Sequence, residues 1–270
     1  MSDLRSHAEA LWPVVEPGLP GFTVEVLASV DSTNTELMRR ARAGFLEPIL
    51  LVSEEQTAGR GRLGRGWHSR PGQSLTFSLG LPMAPLAWSG LSLAVGVSLA
   101  QSLHPDVRLK WPNDLWLHER KLGGILVETA GAGSAGAGGV SVPRLVVVGV
   151  GLNIARPDIS AVAAAPGADP ALRPQEPAGL AEVLVGLTAG EALARVVPAL
   201  VSDLLAFSAQ GFAAFAERFA QRDALRDRPV RLSDGSLGTA CGVDSEGALQ
   251  VLTGQGMRQV TSSEVSVRPC

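Results

Sequence analysis

The sequence predicts an α+β protein with a small β-barrel at its C-terminal end. Strand-length apolar runs alternate with helix-spaced ones through the first 226 residues. The character then changes at Pro229, where VRL, LGTACGV, ALQVL and RQVTSSEVSV follow one another across Asp-Gly, Glu-Gly and Gly-Gln-Gly turns. With 46% hydrophobic and 18% charged residues, the chain has the apolar content for a packed core and is excluded from the disordered class. The expected division is a larger domain over 1–226 and a small one over 227–270. A barrel of about forty residues is too small to be very stable unless it packs on its neighbour.

Residues 22–28 read as a strand leading into Asp31, Ser32, Thr33 and Asn34, a cluster that suits a helix N-terminus, with the helix over 36–43 ending near Gly44. A strand then runs to Glu54, and an Arg/Gly-rich loop spans 56–72. No Asp, Glu, Lys or Arg lies between Arg70 and Asp106, a stretch long enough to raise the question of a membrane span. Pro82 and Pro85 break it, so it divides into a buried strand at 74–81 and a buried helix at 88–103. Leu91, Ala94, Val95, Ser98, Leu99, Ser102 and Leu103 keep helical spacing there.

Strands at 107–109 and 115–117 flank a Trp-Pro-Asn-Asp turn. A strand follows Lys121 to about Thr129, residues 131–143 read as a flexible hairpin tip, and 145–150 form a near-continuous apolar strand. The Pro/Ala-rich stretch 156–178 is a surface connection, and helical patterns cover 179–186 and 190–226.

The net charge of −3 argues against indiscriminate nucleic-acid binding. Two cysteines, Cys241 and Cys270, make neither a disulfide framework nor a zinc site. That usage and the absence of a signal-peptide core at the start fit the cytoplasm. Only two of the 23 basic residues are lysines, Lys110 and Lys121. Coding bias explains a preference for Arg, but a compact ammonium differs from a guanidinium in geometry and tunability, so a surviving Lys suggests a specific task.

Three motifs carry chemistry. In GRGRLGRGW at 59–67, four glycines let the backbone approach a ligand, three arginines offer forks for phosphate or carboxylate, and Trp67 can stack on a base. A solvated basic loop or an RGG-like nucleic-acid segment is the other reading, while Walker and Rossmann patterns are absent. KWPND at 110–114 followed by KLGG at 121–124 places both lysines beside an amide and a carboxylate, although an ordinary turn with a protected edge has the same composition. VVGVGLN at 147–153 ends a buried strand in small residues and an amide, which strand packing also explains.

In this order and spacing, DSTN, EEQTAGRGRLGRGW, KWPNDLWLHERKLGGILVE and VVGVGLN resemble the biotin protein ligases, also called biotin–[acetyl-CoA-carboxylase] ligases, from about Phe22 to the end. The resemblance implies a mixed-sheet catalytic domain of the biotin/lipoate ligase, class II synthetase-like type, with an SH3-like barrel. It implies an enzyme that converts biotin and ATP, with Mg²⁺, to biotinyl-5′-AMP and then acylates a lysine of a biotin carboxyl carrier protein.

Residue by residue, it assigns Ser32, Thr33 and Asn34 to the ureido ring, with Gln56, Gly59, Gly123 and Gly124 in the same pocket. Arg60, Gly61 and Arg62 belong to the loop over biotin and the intermediate. Arg65, Trp67, Lys110, Asn113, Asp114 and Asn153 fall on the nucleotide side together with Arg62, and Asp114 on the metal. Lys121 reaches the biotin carboxylate, so that Lys121, Arg62, Lys110 and Asp114 carry the reaction. Leu63 stands where the family's loop is often basic. Only some twenty residues precede the first strand, so the expected type is monofunctional, without DNA binding or a membrane. A self-complementary sheet edge near the 131–143 hairpin offers a surface for a homodimer. The alternatives are a lipoate or octanoate ligase and, in another class, an RNA- or anion-binding module.

Overall fold

The computed structural model describes residues 3–130, 143–158, 176–261 and 267–269. Two short helices, α1 (Asp3–Glu9) and α2 (Trp12–Val15), come first and bury Leu4, Ala8, Leu11 and Val15 against the core. Neither was expected, because runs of seven and four residues with Pro13 between apolar positions show no sustained helical period.

The larger sheet contains β1 (Thr23–Val30), β2 (Ile49–Gln56), β5 (Ser74–Met83), β6 (Arg108–Lys110), β7 (Asp114–Leu117), β8 (Arg120–Ala130) and β9 (Arg144–Asn153), in the order β1-β2-β5-β9-β8-β7-β6. Only β1 and β2 are parallel. A parallel pair needs a crossover, and α3 (Thr33–Arg42) supplies it. The sheet is therefore mixed, as expected. The helix α3 begins three residues earlier than the periodicity suggests because Ser32 caps it, its hydroxyl accepting from the Thr35 N–H.

One face of the sheet is covered by α4 (Leu91–Leu103) and α5 (Ala189–Gln210), which pack on Phe77, Leu79, Val146, Val148 and Val150. By length and composition α5 could cross a membrane, yet Leu193, Val196, Val197, Leu200, Leu204 and Phe207 form its buried stripe. It is a core helix of this fold.

Two helical expectations need correction. Residues 179–186 hold only a 3₁₀ turn, Leu180–Glu182. The pattern over 190–226 breaks at Gly211, whose φ of +67° ends α5; a 3₁₀ turn and α6 (Ala216–Ala220) follow. The hairpin at 131–143 lies, but for Pro143, outside the described residues, as do 159–175 of the Pro/Ala-rich stretch.

The C-terminal strands β10 (Pro229–Leu232), β11 (Leu237–Val243), β12 (Leu249–Thr253), β13 (Gly256–Val260) and β14 (Val267–Pro269) form an antiparallel sheet in the order β13-β12-β11-β10-β14. RQVTSSEVSV is thus divided between two strands. The turn before β12 sits on the larger domain, where the buried Trp111 indole N–H donates to the Gly247 carbonyl at 3.0 Å. The small barrel thereby touches the Trp-Pro-Asn-Asp turn itself.

Candidate active site

The second face of the large sheet changes character along its strands. Directly opposed residues of antiparallel strands share a face. Beneath α3 that face carries Leu51, Leu145, Val147 and Ala130, packed with Leu37 and Ala41. Further along, Ser53 opposes Thr76, Ser78 opposes Gly149 and Thr76 opposes Gly151. Gly124, Gly149 and Gly151 leave this part of the face low, and it opens as a cavity beside the first turn of α3, with Leu126 and Trp67 in its lining.

The cavity floor is neutral and polar. Ser32, Thr33 and Asn34 are each 3% exposed, so their partners decide what they present to a ligand. The Thr33 N–H donates to Gln56 Oε1 at 2.8 Å. Ser78 Oγ lies 2.7 Å from Thr33 Oγ1 and 2.6 Å from Asn34 Oδ1, and in this orientation of the amide Asn34 Oδ1 accepts from the hydroxyl. The other side, Nδ2, donates to the Leu126 carbonyl at 3.2 Å and to Glu128 Oε2 at 3.0 Å.

The wall is the GRGRLGRGW segment, folded as a hairpin of β3 (Gly59–Arg60) and β4 (Gly66–Trp67) around a 3₁₀ turn, Arg62–Gly64. Leu63 occupies the left-handed region at φ +56° and is largely exposed. Arg60 Nε donates to Thr35 Oγ1 at 2.9 Å and its Nη2 pairs with Glu128 at 3.1 Å. Arg62 Nη1 donates to Asn113 Oδ1 at 3.3 Å, while the Asn113 amide donates to the Ile125 carbonyl at 2.9 Å. Burial pushes the Arg62 guanidinium below its ordinary range, with Asp114 opposing and Arg65 adding to the shift; it remains a cation at any working pH. The Trp67 indole lies on Gly151, where an added Cβ would come within 2.5 Å of the ring.

Both lysines meet at one carboxylate. Lys121 Nζ is 2.8 Å from Asp114 Oδ1 and Lys110 Nζ is 4.0 Å from Asp114 Oδ2. A shift of register between Leu115 and Trp116 leaves an extra residue in β8 and re-aims Lys121, so that its ammonium lies over Gly124, which has no side chain to obstruct it. Among the lining residues are five cations, Arg60, Arg62, Arg65, Lys110 and Lys121, against the single carboxylate of Asp114. Such a surplus suits a ligand that brings several negative charges, next to a floor suited to a neutral polar group.

Most of the expected site residues come together around this cavity. Gly59, Gly123 and Asn153 do not line it. A Cβ at Gly59 would meet the Trp67 carbonyl at 2.4 Å and one at Gly123 the Gly151 carbonyl at 2.5 Å, so both permit close backbone packing. Asn153 turns its amide to the Ala178 carbonyl at 3.0 Å. The sequence reading missed the apolar part of the lining, Ile125, Leu126 and Val150, together with Gly149 and Gly151.

Known proteins place the chain. Residues 26–142 match the family model described as Biotin/lipoate A/B protein ligase family, and 227–268 match Biotin protein ligase C terminal domain. The chain is 34% identical over 260 residues to the bifunctional ligase/repressor BirA of Escherichia coli strain K12, covering 93% of this chain and 75% of that protein. It is 35% identical over 249 residues to the biotin–[acetyl-CoA-carboxylase] ligase of Paracoccus denitrificans, covering 87% and 96%. In shape it resembles the biotin protein ligase of Aquifex aeolicus solved with biotin and ATP, at a TM-score of 0.71 and 26% identity over 92% of this chain and 99% of that one. The first family description covers lipoate and biotin ligases alike, whereas the second and the Paracoccus relative name biotin alone: this chain belongs to the biotin protein ligase family.

Proposed function

We propose that this chain activates biotin with ATP and passes it to a lysine of a biotin carboxyl carrier protein, the region 1–226 catalysing and 227–270 forming the SH3-like domain. The observation that carries the reading is the joining of a fixed neutral floor to a wall of five cations with one carboxylate. The ureido ring, with a carbonyl acceptor and two N–H donors, takes the floor of Ser32, Thr33, Asn34 and Gln56. Its valeryl carboxylate then points toward Lys121, and ATP lies between Arg62, Arg65, Trp67, Lys110 and Asn113.

Adenylation brings two anions together. The biotin carboxylate attacks the α-phosphorus, the bond to the bridging oxygen breaks, and pyrophosphate leaves with its charge. Lys121, Lys110 and Arg62 neutralise the charge that accumulates on the phosphoryl oxygens. Mg²⁺ enters with ATP as part of the substrate. Asp114 is the carboxylate available to it in the lining, which suits an ion held mainly by phosphate oxygens and water. In the second half-reaction the carrier amine attacks the acyl carbon and AMP departs, so no nucleophile of the ligase is needed. The hairpin over the cavity excludes water from the mixed anhydride.

Pyrophosphate exchange into ATP tests this reading. Exchange should depend on biotin and not on lipoate; exchange with lipoate alone would favour the sister activity. Gly151→Ala should raise KM for ATP about tenfold by displacing the Trp67 indole, with KM for biotin changed less, measured in the same assay. Because the product is lysine-reactive and the chain has two lysines, self-biotinylation should stay low and confined to Lys110, Lys121 or the N-terminal amine. Intact-mass and peptide mass spectrometry after incubation with biotin and ATP measure it.

A further inference from the structure

Glu128, the last residue of the KLGGILVE run, has no part in the chemistry above. It lies on β8 opposite Val147, between the apolar cluster under α3 and the cavity, and does not line the cavity. Its two oxygens nevertheless bind both halves of the site. Glu128 Oε2 accepts from Asn34 Nδ2 at 3.0 Å, and Arg60 Nη2 donates to Oε1 and Oε2 at 3.2 and 3.1 Å.

The consequence for Asn34 is one of orientation. Its other partners leave the amide nearly indifferent: the Ser78 hydroxyl can donate or accept, and the Leu126 carbonyl at 3.2 Å is a single neutral acceptor. A carboxylate is not indifferent, because turning the amide over would set oxygen against an anion. Glu128 therefore makes the orientation one-sided, and Asn34 Oδ1, with one lone pair taken by Ser78, keeps the other for a ligand N–H. The same carboxylate holds Arg60, and through it the hairpin, against the floor. Arg60 in turn neutralises Glu128 beside a site that must attract anions.

We infer that Glu128 is a positioning residue for the ureido end of the substrate, acting through Asn34 and Arg60 to fix an acceptor toward a ring N–H. This rests on the proposed biotin reading. It predicts a selective loss: Glu128→Gln keeps the shape but removes the charge that orders the amide, so KM for biotin should rise about tenfold or more while KM for ATP stays within about twofold. Glu128→Asp, which is shorter by one methylene and falls out of reach of Arg60, should show the same split and serves where the first variant is poorly folded.

The measurement is pyrophosphate exchange with biotin and ATP varied separately, alongside a thermal melt. An unchanged KM for biotin overturns the inference, and so does a parallel rise of both KM values, which would mark a structural role. Desthiobiotin keeps both ring N–H groups, so its KM should rise by the same factor; a loss confined to biotin would also count against the inference. Absence of biotin-dependent exchange in the wild type would instead remove the parent reading.

Discussion

Gly149→Ala is expected to raise KM for biotin by roughly 100-fold or more in a protein that still folds. The added Cβ would stand 2.0 Å from Asn34 Oδ1 and 2.7 Å from its Cγ, distances that no packing adjustment absorbs. Asn34 is the group that must give way, because Gly149 is paired in the middle of the sheet with Ser78 on one side and Leu126 on the other. Displacing the amide breaks its bonds to Ser78, Leu126 and Glu128, each worth about 1 kcal/mol net. Stability should therefore fall by about 1–3 kcal/mol, or roughly 2–8 °C in Tm, while the floor loses its N–H acceptor. Gly149→Ala combined with Asn34→Ala should regain much of the lost stability and none of the affinity, since the clash disappears with the amide. Steady-state exchange kinetics with a thermal melt of the three variants check this, and a KM for biotin within threefold of wild type would take Asn34 away from the substrate.

That prediction turns on a residue whose importance the sequence did not reveal. The alternation of strands and helices, the polar cluster ahead of the first helix, the Arg/Gly-rich loop and the two lysines are all local signals, and each was legible because composition or spacing alone produces it. A glycine in an apolar strand, by contrast, reads as packing until its cross-strand neighbour is known. Gly149 matters because the register sets it opposite Ser78 and under Asn34, which is 115 residues earlier in the chain. Glu128 drew no notice in the sequence for the same reason, since its partners Asn34 and Arg60 lie 94 and 68 residues away.

The reach of Lys121 is a further case. It depends on one irregularity between β7 and β8 that no periodicity announces. Asn153, which only the family resemblance put on the nucleotide side, is not in the cavity lining, and its Nδ2 donates to the Ala178 carbonyl. The break at Gly211 was ambiguous in sequence, since a helix tolerates an internal glycine at a cost of about 1 kcal/mol.

Lys121→Ala should lower kcat/KM for biotin by about 10²–10³, the scale set by losing one charge-stabilising donor at a reacting centre. Two effects combine in that number. The substrate carboxylate loses its cation, and Asp114 loses the partner at 2.8 Å and is left with Lys110 at 4.0 Å. An under-compensated carboxylate then faces two incoming anions, and unit charges 4 Å apart at an effective dielectric near 20 interact by about 4 kcal/mol. Part of the loss is thus repulsion created by the substitution itself. Lys121→Ala with Asp114→Asn separates the parts: if repulsion dominates, the double variant should recover about tenfold over Lys121→Ala. If Asp114 chiefly holds the metal of the nucleotide, the double variant should be worse than either single change, and Asp114→Asn alone should raise the Mg²⁺ concentration needed for half-maximal exchange. Lys121→Arg adds the last discrimination. It restores charge but not the compact ammonium that fits over Gly124, so KM for biotin should recover more than kcat does. Equal recovery of both would mean that only charge is required there, and that arginine would have served at this position as it does at 21 others.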